Sequence, residues 1–152
     1  MHFFQIDNSC FARRIMLYYE LLLIYCLLEA DTDMKVEMHT HTSETSPCAH
    51  ICAQDVIKMY KEAGYDTVVI TDHYSKWVFE KNGAKTPDEV TSHFLKGYKT
   101  ALGCAETYDI NVLLGCEVTL TESPNDYLLY GVNEEFFHKH PFFLQYQTEG
   151  LL

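Results

Sequence analysis

Positive charge is scarce in this sequence. Eleven Lys and Arg stand against 22 Asp and Glu in 152 residues, a formal net charge of −11. That balance argues against non-specific binding to a nucleic-acid backbone or an anionic membrane surface, both of which are recognised through basic residues. Phosphate esters stay within reach only if metal ions supply the positive charge locally. Low-complexity tracts and sequence repeats are also missing. Hydrophobic content of 47% with 22% charged residues gives a globular composition and excludes disorder, and the length suits one domain with its own core. The six cysteines (Cys10, Cys26, Cys48, Cys52, Cys104 and Cys116) lack the character of a disulfide framework, because a chain of this length needs no staples and Cys104 and Cys116 sit in apolar segments. Cys48, His50 and Cys52 lack the second Cys/His pair that a structural zinc site requires. A reducing, cytoplasmic compartment follows. The eight histidines, by contrast, are many for a chain of this size and point towards metal.

No apolar run reaches the ~20 residues of a membrane span. The longest, residues 15–28 behind Arg13 and Arg14, contains Glu20, which costs about 2–3 kcal/mol near a bilayer centre. It also lacks a small-x-small cleavage site at Leu28-Glu29-Ala30-Asp31. Residues 1–33 are therefore expected to be a helical leader dispensable for the domain, either packed on it or lying ahead of a true start at Met34, and a membrane anchor is disfavoured.

From Met34 the pattern becomes regular. Val36 and Met38 alternate with polar neighbours, as in a short half-buried strand, which then delivers His39 and His41. Residues i and i+2 of a strand share a face, so the two imidazoles can close on one cation. A His-x-His pair alone can equally sit on a solvated strand. Ala53, Val56, Ile57, Tyr60 and Ala63 fall at helical spacing, ended by Gly64. Thr67-Val68-Val69-Ile70 is apolar enough for a strand buried on both faces, and it leads to Thr71, Asp72 and His73. Residues 74–85 are expected to be a loop with a turn at Asn82-Gly83. Thr86-Pro87-Asp88-Glu89 carries the signature of a capping box with proline at the first helical position, opening a helix through Val90, Phe94, Tyr98, Ala101 and Ala105. A third strand runs from Ile110 to Val118 with Glu117 near its end, a fourth covers residues 127–132, and Asn133-Glu134-Glu135 opens a last helix before Pro141.

Strand–helix–strand–helix–strand predicts parallel βαβ units with right-handed crossovers, whose chemistry gathers at the C-terminal ends of the strands. His39/His41, His73 and Glu117 all fall there. Each alone is ordinary; three strands offering ligand-type side chains at one edge form a constellation.

These residues resemble the three opening motifs of the polymerase and histidinol phosphatase (PHP) superfamily. Val36-Glu37-Met38-His39-Thr40-His41-Thr42 is similar to the first, Ile70-Thr71-Asp72-His73 to the second and Leu114-Gly115-Cys116-Glu117 to the third, over residues 34 to 135. The resemblance implies an α/β fold, a distorted (β/α)7 TIM-like barrel, and a cluster of divalent metal ions that hydrolyses a small phosphorylated substrate. His39 and His41 would bind one metal, His73 another, and Glu117 would bridge two. Three histidines and a carboxylate suit Zn²⁺, Mn²⁺ or Fe²⁺ better than Mg²⁺ or Ca²⁺. Of the polar residues after the first motif, Glu44 is the choice for a further ligand, ahead of Ser46, Cys48 and His50, and Asp72 either orients a ligand or caps its loop. Asn133 replaces a histidine common in the family, and His138 and His140 match no motif. Residues 34–152 hold about four strands at ~30 residues per unit, against about 200 residues for a whole barrel, so they are expected to form its first half. Such a half, with an open edge that invites a second copy, is expected to hydrolyse phosphoesters poorly or not at all on its own. The alternative is a non-catalytic metal-binding or polymerase-associated PHP module, with no direct nucleic-acid contact.

Overall fold

A computed structural model describes residues 34–120 and 125–141. The expected helical leader and the apolar run of residues 15–28 lie outside the described residues. Among the described residues no helix is long and apolar enough to cross a membrane.

The first strand, β1 (Val36–Thr40), pairs in parallel with β2 (Thr67–Ile70), which is buried along its whole length as its β-branched composition requires. The chain then steps at Thr71 and Asp72 into a two-residue strand, β3 (His73–Tyr74). The expected third strand makes the same step. It splits at Gly115 into β4 (Asn111–Leu114), parallel to β2, and β5 (Cys116–Thr119), parallel to β3. Two three-stranded sheets result, ordered β1-β2-β4 and, with β6 (Asp126–Leu129), β3-β5-β6. Backbone bonds Gly115 N–H to Ile70 O (2.9 Å) and Glu117 N–H to Asp72 O (3.1 Å) carry the ladder across the step. Glycine fits position 115 closely, where a Cβ would meet Leu129 O and Thr71 Cγ2 at 3.0 Å and Val69 Cγ1 at 3.1 Å.

The expectation of four parallel strands needs correcting at the fourth. β6 is antiparallel to β5. Only residues 120–125 join them, fewer than the dozen or so that a parallel crossover needs, so the strands form a hairpin. β1 and β4 are the edges of the first sheet, and the barrel is not closed among the described residues. Val36 and Met38, on the outer part of β1, remain 38% and 45% exposed.

Among the described residues four helices pack on these strands. In α1 (Ala53–Glu62) the periodic residues Ala53, Val56 and Ile57 are buried, and the chain leaves through Gly64 at φ +78°. Residues 76–81, expected as loop, form α2 (Lys76–Lys81), whose capping Ser75 Oγ accepts from Val78 N–H at 3.3 Å and which buries Val78 and Phe79. The turn at Asn82-Gly83 follows it as expected, with Gly83 at φ +73°. The longest of the described helices, α3 (Pro87–Tyr108), opens on the expected capping box: Thr86 Oγ1 accepts from Glu89 N–H and the Glu89 carboxylate accepts from Thr86 N–H. Thr86→Ala is expected to cost about 1 kcal/mol, read as a lower urea midpoint at unchanged slope. Asn133 caps α4 (Glu134–Lys139) by accepting from Phe136 N–H at 2.9 Å.

α3 bridges two apolar clusters. Its Ala101 packs with Ala53, Ile57, Val68, Ile70, Ile110 and Val112. Its Val90, Phe94 and Leu95 pack with Tyr74, Val78, Val118 and Phe137. The first cluster fixes the parallel sheet and the second fixes the step, so together they set the sheet edge on which the histidines stand.

Candidate metal centre

At that edge the structure brings together all four residues singled out from the sequence. β1 carries His39 one residue before its end at Thr40, with His41 just beyond it, and its pairing with β2 shifts register between Glu37 and Thr40. Their Nε2 atoms stand 2.9 Å apart. His73 and Glu117 are direct partners in the β3–β5 register, so the step in both strands is what sets them side by side. Glu117 Oε2 lies 3.2 Å from His39 Nε2, 2.9 Å from His41 Nε2 and 3.4 Å from His73 Nδ1. One carboxylate oxygen thus serves three imidazoles from two other segments of chain.

The elementary chemistry of this arrangement calls for positive charge. Two imidazole nitrogens at hydrogen-bond distance, both facing one carboxylate oxygen, repel as bare lone pairs unless a proton or a cation lies between them. Burial holds His41 down at about 4, helped by the charge of His73 and opposed by Glu117, so its ring is neutral at pH 7 and free to act as a ligand. The donor set fits a divalent transition metal.

Asp72 stands behind the cluster and is 1% exposed. Its carboxylate accepts from Thr42 N–H at 2.7 Å, from Thr42 Oγ1 at 2.6 Å and from Ser46 Oγ at 2.6 Å. Burial raises its carboxyl to about 6 against the lowering effect of those bonds, which leaves it ionised at pH 7. Ser46 spends its proton on Asp72, so its oxygen accepts from His73 N–H at 2.9 Å and from His41 Nδ1 at 3.2 Å. That assignment puts the His41 proton on Nδ1 and leaves Nε2 as the lone pair facing the site. Asp72 therefore does both things considered for it: it orients a ligand, and it ties down the loop.

Glu44 is not in the cluster. Both its carboxylate oxygens lie 3.0 Å from Ala53 N–H, at the start of α1, where unpaired amides attract an anion. Two residues not chosen from the sequence come closer. The ligand atoms of His41, Cys48 and His73 lie within 4.8 Å of one another, as do those of His73, Glu117 and Asp126. Asp126 is brought there by the β5–β6 hairpin, in which it opposes Thr119 and accepts from its hydroxyl at 2.6 Å. Cys48 was among the polar residues weighed after the first motif and passed over for Glu44, whereas Asp126 was not considered. Asn133 caps α4, and among the described residues His138 and His140 belong to no metal-type cluster. A cleft of about 570 Å³ opens beside His39 and His41, lined by Ile51, Met59, Tyr60 and Tyr65.

A solved structure from Bifidobacterium adolescentis, provisionally described as a metal-dependent phosphoesterase, is 19% identical over 63% of this chain, with a TM-score of 0.42. This chain spans 26% of the length of that one, and the likeness is too slight to bear on mechanism. No curated protein matches. The sequence pattern of the PHP domain matches residues 37–148, which include every residue of the cluster, and the chain belongs to the PHP domain family.

Proposed function

We propose that the chain is a PHP-type metal-dependent phosphoesterase domain, hydrolysing small phosphate esters with water activated at the His39/His41/His73/Glu117 centre. The observation that carries this reading is the convergence of three imidazoles on Glu117 Oε2 within 3.4 Å. Bound divalent ions, of which Zn²⁺, Mn²⁺ and Fe²⁺ suit these donors, would acidify a water and offset the charge growing on phosphoryl oxygens. The protein's own residues hold and orient. His39, His41 and His73 present imidazole nitrogens, Glu117 supplies the compensating negative charge, and Ser46 with Asp72 fixes the His41 tautomer. No side-chain nucleophile is invoked. The cleft beside His39 is of a size that admits a small organic ester. A scarcity of basic residues makes metal the main source of attraction for phosphate, and tells against nucleic acid as a direct partner.

The test is release of nitrophenol from a chromogenic phosphomonoester with Mn²⁺ or Zn²⁺, with bound metal measured on the same samples. Slow turnover is expected that tracks metal content and disappears in His39→Ala. Metal binding without turnover under any of these ions would contradict the hydrolase reading and favour a non-catalytic metal-binding module.

A further inference from the structure

Cys48 stands apart from the three motifs, yet its sulfur lies within 4.8 Å of a ring nitrogen of His41 and of His73, close enough for the three to share one ion. The loop that carries it is tightly built. Ser46 N–H donates to Thr42 O at 2.9 Å and Ala49 N–H to Ser46 O at 3.0 Å, so Pro47 and Cys48 are the central residues of a four-residue turn. Proline at the first central position presets φ, which holds Cys48 in place at the second. The residue that opens this turn is Ser46, whose hydroxyl is also bound to Asp72 and lies 3.2 Å from His41 Nδ1. One hydroxyl therefore ties the position of Cys48 to the orientation of His41. Cys52, the other cysteine of this loop, instead turns its thiol to Asp55 at 3.2 Å. Cys48 is free of disulfide and reaches solvent, so a metal ion has access to it.

We propose that Cys48 is a metal ligand, binding a zinc-class cation through its sulfur together with His41 and His73. The inference rests on the metal-centre reading above and narrows it. On binding, the S–H bond breaks, its proton leaves to solvent and a sulfur–metal bond forms, with no change of oxidation state. Sulfur and imidazole together favour Zn²⁺, Co²⁺ or Cd²⁺ over Mn²⁺ and Mg²⁺, which prefer oxygen donors.

The probe is Co²⁺ added to the full chain and followed by absorption. Cobalt held by Cys48 shows a sulfur-to-cobalt charge-transfer band in the near ultraviolet. The band is expected in the native chain and in Cys52→Ser, and is expected to vanish in Cys48→Ser. Cys48→Ser is also expected to weaken Zn²⁺ binding by at least about tenfold, the loss typical of even an indirect partner, while leaving Mn²⁺ binding nearly unchanged. Cobalt binding without the band, or with a band that survives in Cys48→Ser, overturns this proposal and leaves the metal centre standing. Failure to bind cobalt at all overturns both.

Discussion

Gly97→Ala is expected to destabilise the protein by about 1–5 kcal/mol, although alanine is the better helix former by about 1 kcal/mol. Gly97 lies inside α3, where propensity alone predicts a gain. A Cβ there would stand 1.9 Å from Thr42 Oγ1, 2.5 Å from Asp72 Oδ2 and 3.0 Å from Thr42 Cβ. Neither neighbour has room to yield. Thr42 is 0% exposed, Asp72 1%, and each is held by the other through the 2.6 Å hydroxyl–carboxylate bond. Overpacking costs about 1–3 kcal/mol, and a buried carboxylate that loses a donor costs about 1–3 kcal/mol more, which together outweigh the gain in propensity. The strain falls on the residues that hold Ser46 and therefore His41, so metal affinity should fall along with the urea midpoint. A variant as stable as the native chain would show that α3 does not press on the Thr42–Asp72 pair.

Glu117→Gln should do the opposite: leave the fold and remove the ion. The amide is isosteric with the carboxylate, and its NH2 group can donate to a neutral imidazole, so without metal the stability should change by no more than about 0.5 kcal/mol. The charge that compensates a cation is gone, however. Loss of an outer-shell partner already costs 10–100-fold in metal affinity, so loss of a direct anionic ligand should cost at least about 100-fold, roughly 2.7 kcal/mol. Metal-dependent turnover should fall at least as far. Calorimetric metal titration beside thermal melting of the metal-free protein separates the two effects. Native metal affinity in Glu117→Gln would place the ion elsewhere.

How legible these features were in the sequence depended on how local they are. α1 was readable because Ala53, Val56 and Ile57 repeat with the helical period, and α3 because Thr86 and Glu89 form a capping box within four residues. α2 was not, since six residues span too few turns for Trp77 and Phe79 to declare a period. The cluster followed from one topological rule, that parallel strands gather chemistry at their C-terminal ends, applied to His41, His73 and Glu117. The step that sets His73 opposite Glu117 left almost no mark: only Gly115 stands at the break between β4 and β5, and local residue type does not say which sheet a short strand joins. The direction of β6 depends on the length of the preceding connection more than on the alternation within it. Glu44 against Cys48 was a choice about the path of a loop. Glu44 is drawn to the amide end of α1, while the Pro47 turn places Cys48 near the histidines, and neither event is written in residue type alone.

The central claim is that side chains from three separate segments form one metal centre. The most direct measurement is competitive Zn²⁺ titration of the metal-free full chain against a chromophoric chelator, repeated for His39→Ala, His41→Ala, His73→Ala, Glu117→Ala and, as a control outside the cluster, His138→Ala. The account predicts roughly one tight ion per chain, at least about tenfold weaker binding in each of the four cluster variants, and native binding in His138→Ala. Native binding in His73→Ala or Glu117→Ala, or no tight ion in the native chain, would contradict it.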